Sequence, residues 1–267
     1  MKIRIPLFAA LVMALYSCSS SDDYVPLVQP ELPAEGNCRV RSITHKGNVP
    51  NVYDWSLTYE PNYLVSAEGT LVGDTQNSYR SALYYSPDGV TIVNYNGPQM
   101  EATMDKDGNI VRLTANKDVY HFAYTNGYLT AWNKTVRDAN FGGDASSASA
   151  ELTYKDGNLV RISYVENNGN PTVITLTPST DLNINGLLPV ALSHHLGCFG
   201  FEHLYYGGML GKPSKHLVKK VKVDSSRGAA YDYEISYDYN SSKITGNIDL
   251  CTFKYQGQSA TAIYGYE

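Results

Sequence analysis

The sequence predicts an all-β protein, an antiparallel meander curved into an open or closed barrel, with a short helical insertion near residues 189–211. Three observations carry this. A strand–turn–strand unit recurs, clearest in Tyr154-Lys155-Asp156-Gly157-Asn158-Leu159-Val160-Arg161-Ile162-Ser163-Tyr164. Asp-Gly and Asn-Gly suit tight hairpins because such turns need residues that tolerate positive φ. The turn glycines Gly89, Gly108 and Gly127 are spaced 19 residues apart, so the units follow one another regularly. Composition agrees: Tyr, Thr, Val and Ile are plentiful, and Gly, Asn and Asp punctuate them.

The elements follow in order. Cys38 to Lys46 alternates and reads as a first strand. Trp55 to Tyr59 reads as a second, closed by Glu60-Pro61-Asn62. Leu64 to Val72 and Tyr79 to Tyr85 continue the pattern. Hairpin units then fill Ser81 to Tyr164, around the turns at Asp88-Gly89, Asp107-Gly108, Asn126-Gly127 and Asp156-Gly157. The Gly- and Ser-rich stretch from Asp138 to Ser147 reads as a loop between two of them. Thr172 to Thr177 is another strand, and Asp181 to Leu188 is loop-like.

Pro189 to Gly211 is the best helical candidate. Leu192, Leu196, Phe199, His203 and Tyr206 fall at roughly helical spacing, while Gly197, Gly200, Gly207 and Gly208 cut the run into short pieces. These side chains are expected to cover one end or the concave face of the sheet. Strands resume at Val218–Val223, Tyr231–Tyr239, Lys243–Asp249, Thr252–Tyr255 and Thr261–Tyr266. Sequential antiparallel strands neighbour each other in space. A sheet this long must twist, then curl or close, to hide its apolar face and edges.

The N-terminus reads as an address. Lys2 and Arg4 precede an apolar run from Ile5 to Tyr16 that is shorter than the ~20 residues a spanning helix needs. It ends in Leu15-Tyr16-Ser17-Cys18, which resembles the lipobox of bacterial lipoproteins, although Tyr16 stands where that motif usually has a small residue. Residues 1–17 are therefore expected to be a signal peptide, with lipid (palmitate among the chains) attached at Cys18. Several acyl chains hold a protein to a membrane where one holds it only marginally. Residues 18–37, with Pro26, Pro30 and Pro33, form a flexible tether. Its start, Ser19-Ser20-Ser21-Asp22-Asp23, resembles the surface-export signal of lipoproteins from gut-commensal Gram-negative bacteria. The expected location is the outer membrane, lipid-anchored, with the cell surface preferred over the periplasmic face. The folded domain is expected to span residues 38–267.

Charge and motif content bound the function. Removing residues 1–17 takes away Lys2 and Arg4 and no acid, so the net charge moves from −5 to −7. A mildly acidic chain without a basic stripe argues against nucleic acid as a partner. Beyond Cys18 there are Cys38, Cys198 and Cys251; any one pair of these three is open to a disulfide, and buried free thiols are the simpler expectation. His194, His195, Cys198, His203 and His216 lie close in sequence, and imidazole and thiolate are zinc ligands. Only His195 and Cys198 have a helical metal spacing, and packing of the insertion on the sheet is the plainer reading, so no metal or other cofactor is expected. Ser193 beside His194 makes no catalytic motif. Glu101, Glu151, Glu166, Glu202 and Glu234 include no pair that sequence can place together, and separation in space is what defines a glycosidase pair. No catalytic residue is assigned, and the chain is expected not to be an enzyme.

The segment Leu204-Tyr205-Tyr206-Gly207-Gly208-Met209-Leu210-Gly211-Lys212-Pro213-Ser214-Lys215-His216-Leu217, with Tyr231 to Tyr237 and the Tyr-x-x-Gly-x-Leu-Val units, resembles a family of gut-commensal lipoproteins of unknown function with a porin-like, open-barrel fold. The resemblance implies a curved meander, short helices near its end, and a surface or periplasmic lipoprotein. It offers no catalytic residues. A weaker likeness joins the Tyr154 unit to the Tyr-Asp repeats of secreted β-shell proteins, but the copies here are too few to build such a shell.

Tyrosine is the compositional excess, at 23 residues. Its flat ring and polar tip suit sugar stacking and interfaces, and equally the half-buried face of a sheet. Three functions follow for comparison: a non-catalytic binding lipoprotein taking a glycan, peptide or protein ligand; a structural or accessory envelope protein; and a hydrolase without a recognisable motif. The first two separate on whether an open concavity lined by Tyr exists.

Overall fold

The computed structural model describes residues 38–267 apart from 48–50, 62, 97–98, 139–142, 168 and 243–244. The signal peptide, Cys18 and the tether lie outside the described residues.

Sixteen strands appear in the described chain. The first five are β1 (Val40–Lys46), β2 (Tyr53–Glu60), β3 (Tyr63–Leu71), β4 (Asp74–Ser86) and β5 (Gly89–Asn94). Next come β6 (Met100–Met104), β7 (Ile110–Ala115), β8 (Asp118–Thr125), β9 (Tyr128–Asp138) and β10 (Gly143–Lys155). Then follow β11 (Asn158–Glu166), β12 (Thr172–Leu182), β13 (His216–Asp224), β14 (Tyr233–Ser241), β15 (Ile248–Tyr255) and β16 (Gln258–Tyr266). Each pairs antiparallel with the next, and β1 pairs with β16 from Val40↔Tyr266 to Lys46↔Thr261. The meander is thus a closed barrel. Closure removes the two edges that an open sheet of this length would expose.

The expected turn chemistry is present. Asn126-Gly127, Asp156-Gly157 and Gln256-Gly257 each place both residues at positive φ, as a two-residue type I′ turn requires. Gly89 differs. It lies inside β5 opposite Ser86, and a Cβ on it would fall on the carbonyl oxygen of Ala102 in β6. Glycine is needed there for close approach of two strands.

Alternation sets which face is which. In β2, Trp55, Leu57 and Tyr59 are buried while Ser56, Thr58 and Glu60 are exposed. In β14, Ile235 and Tyr237 are buried between exposed Glu234, Ser236 and Asp238. The apolar side is the lumen, where it merges into one core with Leu187, Leu192, Leu204 and Met209 of the connection between β12 and β13. The outward face of β2 and β14 is polar. Large apolar side chains exposed among the described residues are Tyr84, Tyr95, Leu182 and Tyr231.

Four expectations need correction. The insertion 189–211 is a plug with a single short helix, α1 (Glu202–Tyr206), rather than a series of helices. Ala191, Gly197, Gly200, Gly208 and Gly211 all take positive φ, which ends a right-handed turn wherever it starts. Leu192 and Leu196 are buried as expected, and Phe199 and Tyr206 are half-buried. Of the two placements expected, the plug takes the concave face: it packs into the lumen. The Gly/Ser stretch is also not all loop: β9 runs to Asp138 and β10 starts at Gly143, with Asp144↔Arg137 and Ser146↔Thr135 paired. Cross-strand pairing there overrides weak β propensity. Of the strand expected at Lys243–Asp249, Lys243 and Ile244 lie outside the described residues, and β15 starts only at Ile248, after the bonds Gly246 N–H to Ser242 O and Ser242 N–H to Asn247 O. Tyr231 belongs to a 3-10 turn at 229–231, so β14 begins at Tyr233.

Tyrosine ties wall to plug. Tyr237 donates to Val190 O at 2.8 Å, and Tyr59 to Tyr206 O at 3.3 Å. The Trp132 indole donates to His195 O at 2.9 Å. Burying these rings satisfies carbonyls that the irregular plug would otherwise leave bare.

Candidate functional site

One end of the barrel carries the turns β6–β7, β8–β9 and β10–β11, together with the entry of the chain at Cys38. The segment Met209 to Lys215 is laid across these three turns as a strap. Ile110 N–H donates to Met209 O at 2.8 Å, Lys212 N–H to Gly127 O at 2.7 Å, and Lys215 N–H to Gly157 O at 2.9 Å. The Ser214 hydroxyl accepts Leu159 N–H at 3.1 Å, and Asn158 Oδ1 accepts His216 N–H at 2.8 Å. The regularly spaced turns and the Leu-Gly-Lys-Pro-Ser-Lys segment are therefore two halves of one structure. Gly211 is required where the strap crosses: its φ is +83°, and a Cβ would lie 2.9 Å from Gly127 O.

Between strap, turns and the loop 183–186 lies a cavity of about 780 Å³. Tyr124, Tyr128, Tyr205 and Tyr206 line it, with Arg39, Lys212, Lys215, Asp105, Asp107, Asn109, Asn183 and Asn185. Most of the polar side chains are already committed. Asp105 Oδ1 accepts the N–H groups of Asp107 and Asn109 at 2.9 Å each. The Asn109 amide donates to Asp105 Oδ2 at 3.1 Å. Asn183 holds Leu187 through N–H and carbonyl, and Asn185 bridges Asn247 and Ile248 N–H. Asp107 pairs with Lys106 at 3.2 Å. The Arg39 guanidinium donates to Pro61 O at 2.7 Å and sits 5.4 Å from the Tyr59 ring centre. The Tyr124 hydroxyl donates to Ile110 O at 2.7 Å, and burial holds its phenol well above the usual range. What the cavity offers a ligand is aromatic surface, backbone at Gly127, Gly186 and Gly208, and a cationic rim.

The residues singled out in sequence fall elsewhere. His194 is exposed and shares a hydrogen bond of 2.9 Å with the Tyr164 hydroxyl. Burial pushes the His195 imidazole down to about 4 and the fully buried His203 to about 3. Cys198 is buried, and burial pushes its thiol up. His216 sits at the strap, 3.2 Å from Asn158 Oδ1. Among the described residues no three His, Cys, Asp or Glu side chains gather as a metal set. Cys38, Cys198 and Cys251 are free thiols. Glu101, Glu151, Glu166 and Glu234 are exposed. Glu202 is buried in α1, where burial raises its carboxyl to about 7 against hydrogen bonds from Ser193 and from Gly200 N–H at 3.1 Å. The acids are not brought together as a pair.

Sequence reasoning missed the cavity residues. Lys212 and Lys215 stood out only as part of a family resemblance, and Arg39, Tyr124 and Tyr128 only as strand residues. A signal was present: even turn spacing puts alternate turns at one end of a meander, and the one long connection must return to an end as well.

A family model described as a domain of unknown function (DUF4595) with porin-like fold matches residues 74–245. Among solved structures, a porin-like protein from Bacteroides uniformis superposes with a TM-score of 0.67 at 16% identity, covering 85% of this chain and 98% of its own. A porin-like protein from Bacteroides vulgatus gives 0.56 at 12% identity, covering 86% of this chain and 99% of its own. At these identities the likeness shows the fold alone. No curated protein matches the chain.

Proposed function

The chain belongs to the family of domains of unknown function with a porin-like fold, and on that premise we propose that it is an envelope lipoprotein whose barrel is a non-catalytic binding module. The observation that carries this is the Tyr-lined cavity of about 780 Å³ at the strap end. Its size lies within the range of small-ligand sites, roughly 300–1,000 Å³. The aromatic surface comes from rings held by their own packing, as with Tyr128 against Tyr154 at 4.7 Å and Tyr205 against Tyr206 at 5.5 Å between centres. Rigid rings bind at low entropic cost.

The membrane enters through Cys18, which lies outside the described residues. The polar outward face of β2 and β14 fits a barrel that stands beside the bilayer on its tether, at the outer membrane and facing the cell surface. A glycan, peptide or protein is the partner, and nucleic acid is not.

The plugged lumen favours a second reading, a structural or accessory envelope protein. A thermal-shift screen of glycans, peptides and lipids on the full-length protein in detergent separates the two. Binding to the native state raises the melting temperature with ligand concentration. We expect one class to do so, and to do so less on Tyr205→Ala. If no class shifts the parent, the structural reading replaces this one.

A further inference from the structure

We infer that the cavity takes an acidic oligosaccharide, a chain of sugars carrying carboxylate, sulfate or phosphate groups. This rests on the reading of the cavity as a ligand site and names its ligand class. The chain is acidic overall, at −5, yet the cavity gathers Arg39, Lys212 and Lys215. The two acids there are already engaged, Asp105 by its own turn and Asp107 by Lys106. Three cations against two carboxylates leave the rim with one net positive charge, and the hydrogen bonds on Asp105 turn its carboxylate towards its own turn.

Both lysines are placed, not merely nearby. Their backbone N–H groups are fixed on Gly127 O and Gly157 O. Their stems lie over those same glycines: a Cβ on Gly127 would be 2.8 Å from Lys212 Cε, and one on Gly157 would be 3.5 Å from Lys215 Cβ. The Tyr128 hydroxyl reaches the same turn, 3.0 Å from that second position. Flat aromatic faces beside positioned ammonium groups suit a sugar ring that carries an acid.

Two other ligand classes fit less well. A peptide that adds as a strand needs a free sheet edge, and the closed barrel has none. An acyl chain needs apolar depth. The recess below the cavity, lined by Leu129, Leu159, Leu196 and Leu210, holds about 30 Å³, room for about one water.

The test is calorimetric titration of the full-length protein in detergent with trigalacturonate and with its fully methyl-esterified form, repeated with sulfated and phosphorylated trisaccharides and their neutral parents. We expect at least one acidic form to bind, its neutral partner to bind about tenfold more weakly, and added salt to weaken the acidic form. Lys212→Ala with Lys215→Ala should cost the acidic form about the same factor and leave the neutral form's binding unchanged, since the strap's backbone bonds to Gly127 O and Gly157 O remain. Arg39→Gln is the second variant. Equal binding of acidic and neutral forms, or no effect of the lysine variants, overturns the acidic assignment and leaves the binding module standing. Failure of all three acid types overturns it as well. The binding module itself falls only if the wider panel of glycans, peptides and lipids also gives no shift.

Discussion

Glu202 is a carboxylic acid held where its neutral form is favoured. Burial comes first among the causes and lifts its titration from 4.5 to about 7. The sign follows from linkage. Between pH 4.5 and 7 the unfolded chain has lost this proton and the folded one keeps it, so stability falls as pH rises through that window and is level above it. The drop is about 3 kcal/mol at ~1.4 per unit. His195 and His203 act the other way: their lowered values cost stability as pH falls from 6.5 towards about 4 and about 3. The parent alone therefore mixes opposing slopes, and Glu202→Gln isolates one. Urea melts of both proteins from pH 4.5 to 8 should show the variant gaining on the parent as pH rises, by about 3 kcal/mol in all; parallel curves would refute a buried neutral Glu202. A second residue-scale prediction concerns Gly197, at φ +71° with the Trp132 ring 2.6 Å from its absent Cβ. Gly197→Ala should lose about 2 kcal/mol or more through strain and overpacking together. Gly257→Ala, at φ +77° with nothing within 4 Å, should show strain alone, about 1 kcal/mol. Equal melting temperatures for the two would refute the packing part. Sequence showed both glycines but not what stands opposite them, because Trp132 and Gly197 meet only in the fold.

At the scale of elements, the strap is held by backbone and short side chains, so its removal can be graded. Ser214→Ala deletes one bond to Leu159 N–H, and Asn158→Ala deletes the acceptor for His216 N–H. Each should cost about 1–2 kcal/mol and raise hydrogen exchange at Lys212 and Lys215 ahead of exchange in the strands. Exchange unchanged at those amides would mean the strap is held by something other than the turns. The strands were legible because period-2 alternation and Asn-Gly or Asp-Gly turns are local signals. The plug was legible only as a change of texture. Helical spacing at Leu192, Leu196, Phe199 and Tyr206 tracked burial, yet burial in a lumen arises without a helix once five left-handed residues interrupt the chain. Likewise β10 began inside a Gly/Ser run, since pairing with β9 decides a strand that its own residues specify weakly. The cavity was not legible at all, because it depends on which turns share an end and on where the strap lands.

For the whole molecule, the decisive property is the direction in which the barrel is apolar. A membrane-spanning barrel turns an apolar band about 25 Å tall outwards and keeps its interior polar. Here Ser56, Thr58, Glu60, Glu234, Ser236 and Asp238 face out, and Trp55, Leu57, Ile235 and Tyr237 face in. Burying a charged position such as Glu60 in hydrocarbon costs several kcal/mol without a partner, and Glu234, paired with Lys220 at 2.9 Å, would take two charges in together. On β2 and β14 the outward face is therefore the reverse of a membrane-spanning wall, and the lumen is closed by core packing around Leu192, Leu204 and Met209. Under the proposed lipoprotein reading, attachment is through Cys18, which lies outside the described residues. Cys18→Ser should leave any mature-sized protein in the soluble fraction, with precursor retained only while residues 1–17 are still attached. The same variant should stay in solution without detergent, and the parent should give no conductance steps in a planar bilayer. Mature-sized Cys18→Ser protein that resists washing from membranes, or stepwise conductance from the parent, would show that the wall contacts lipid and that the polarity argument fails.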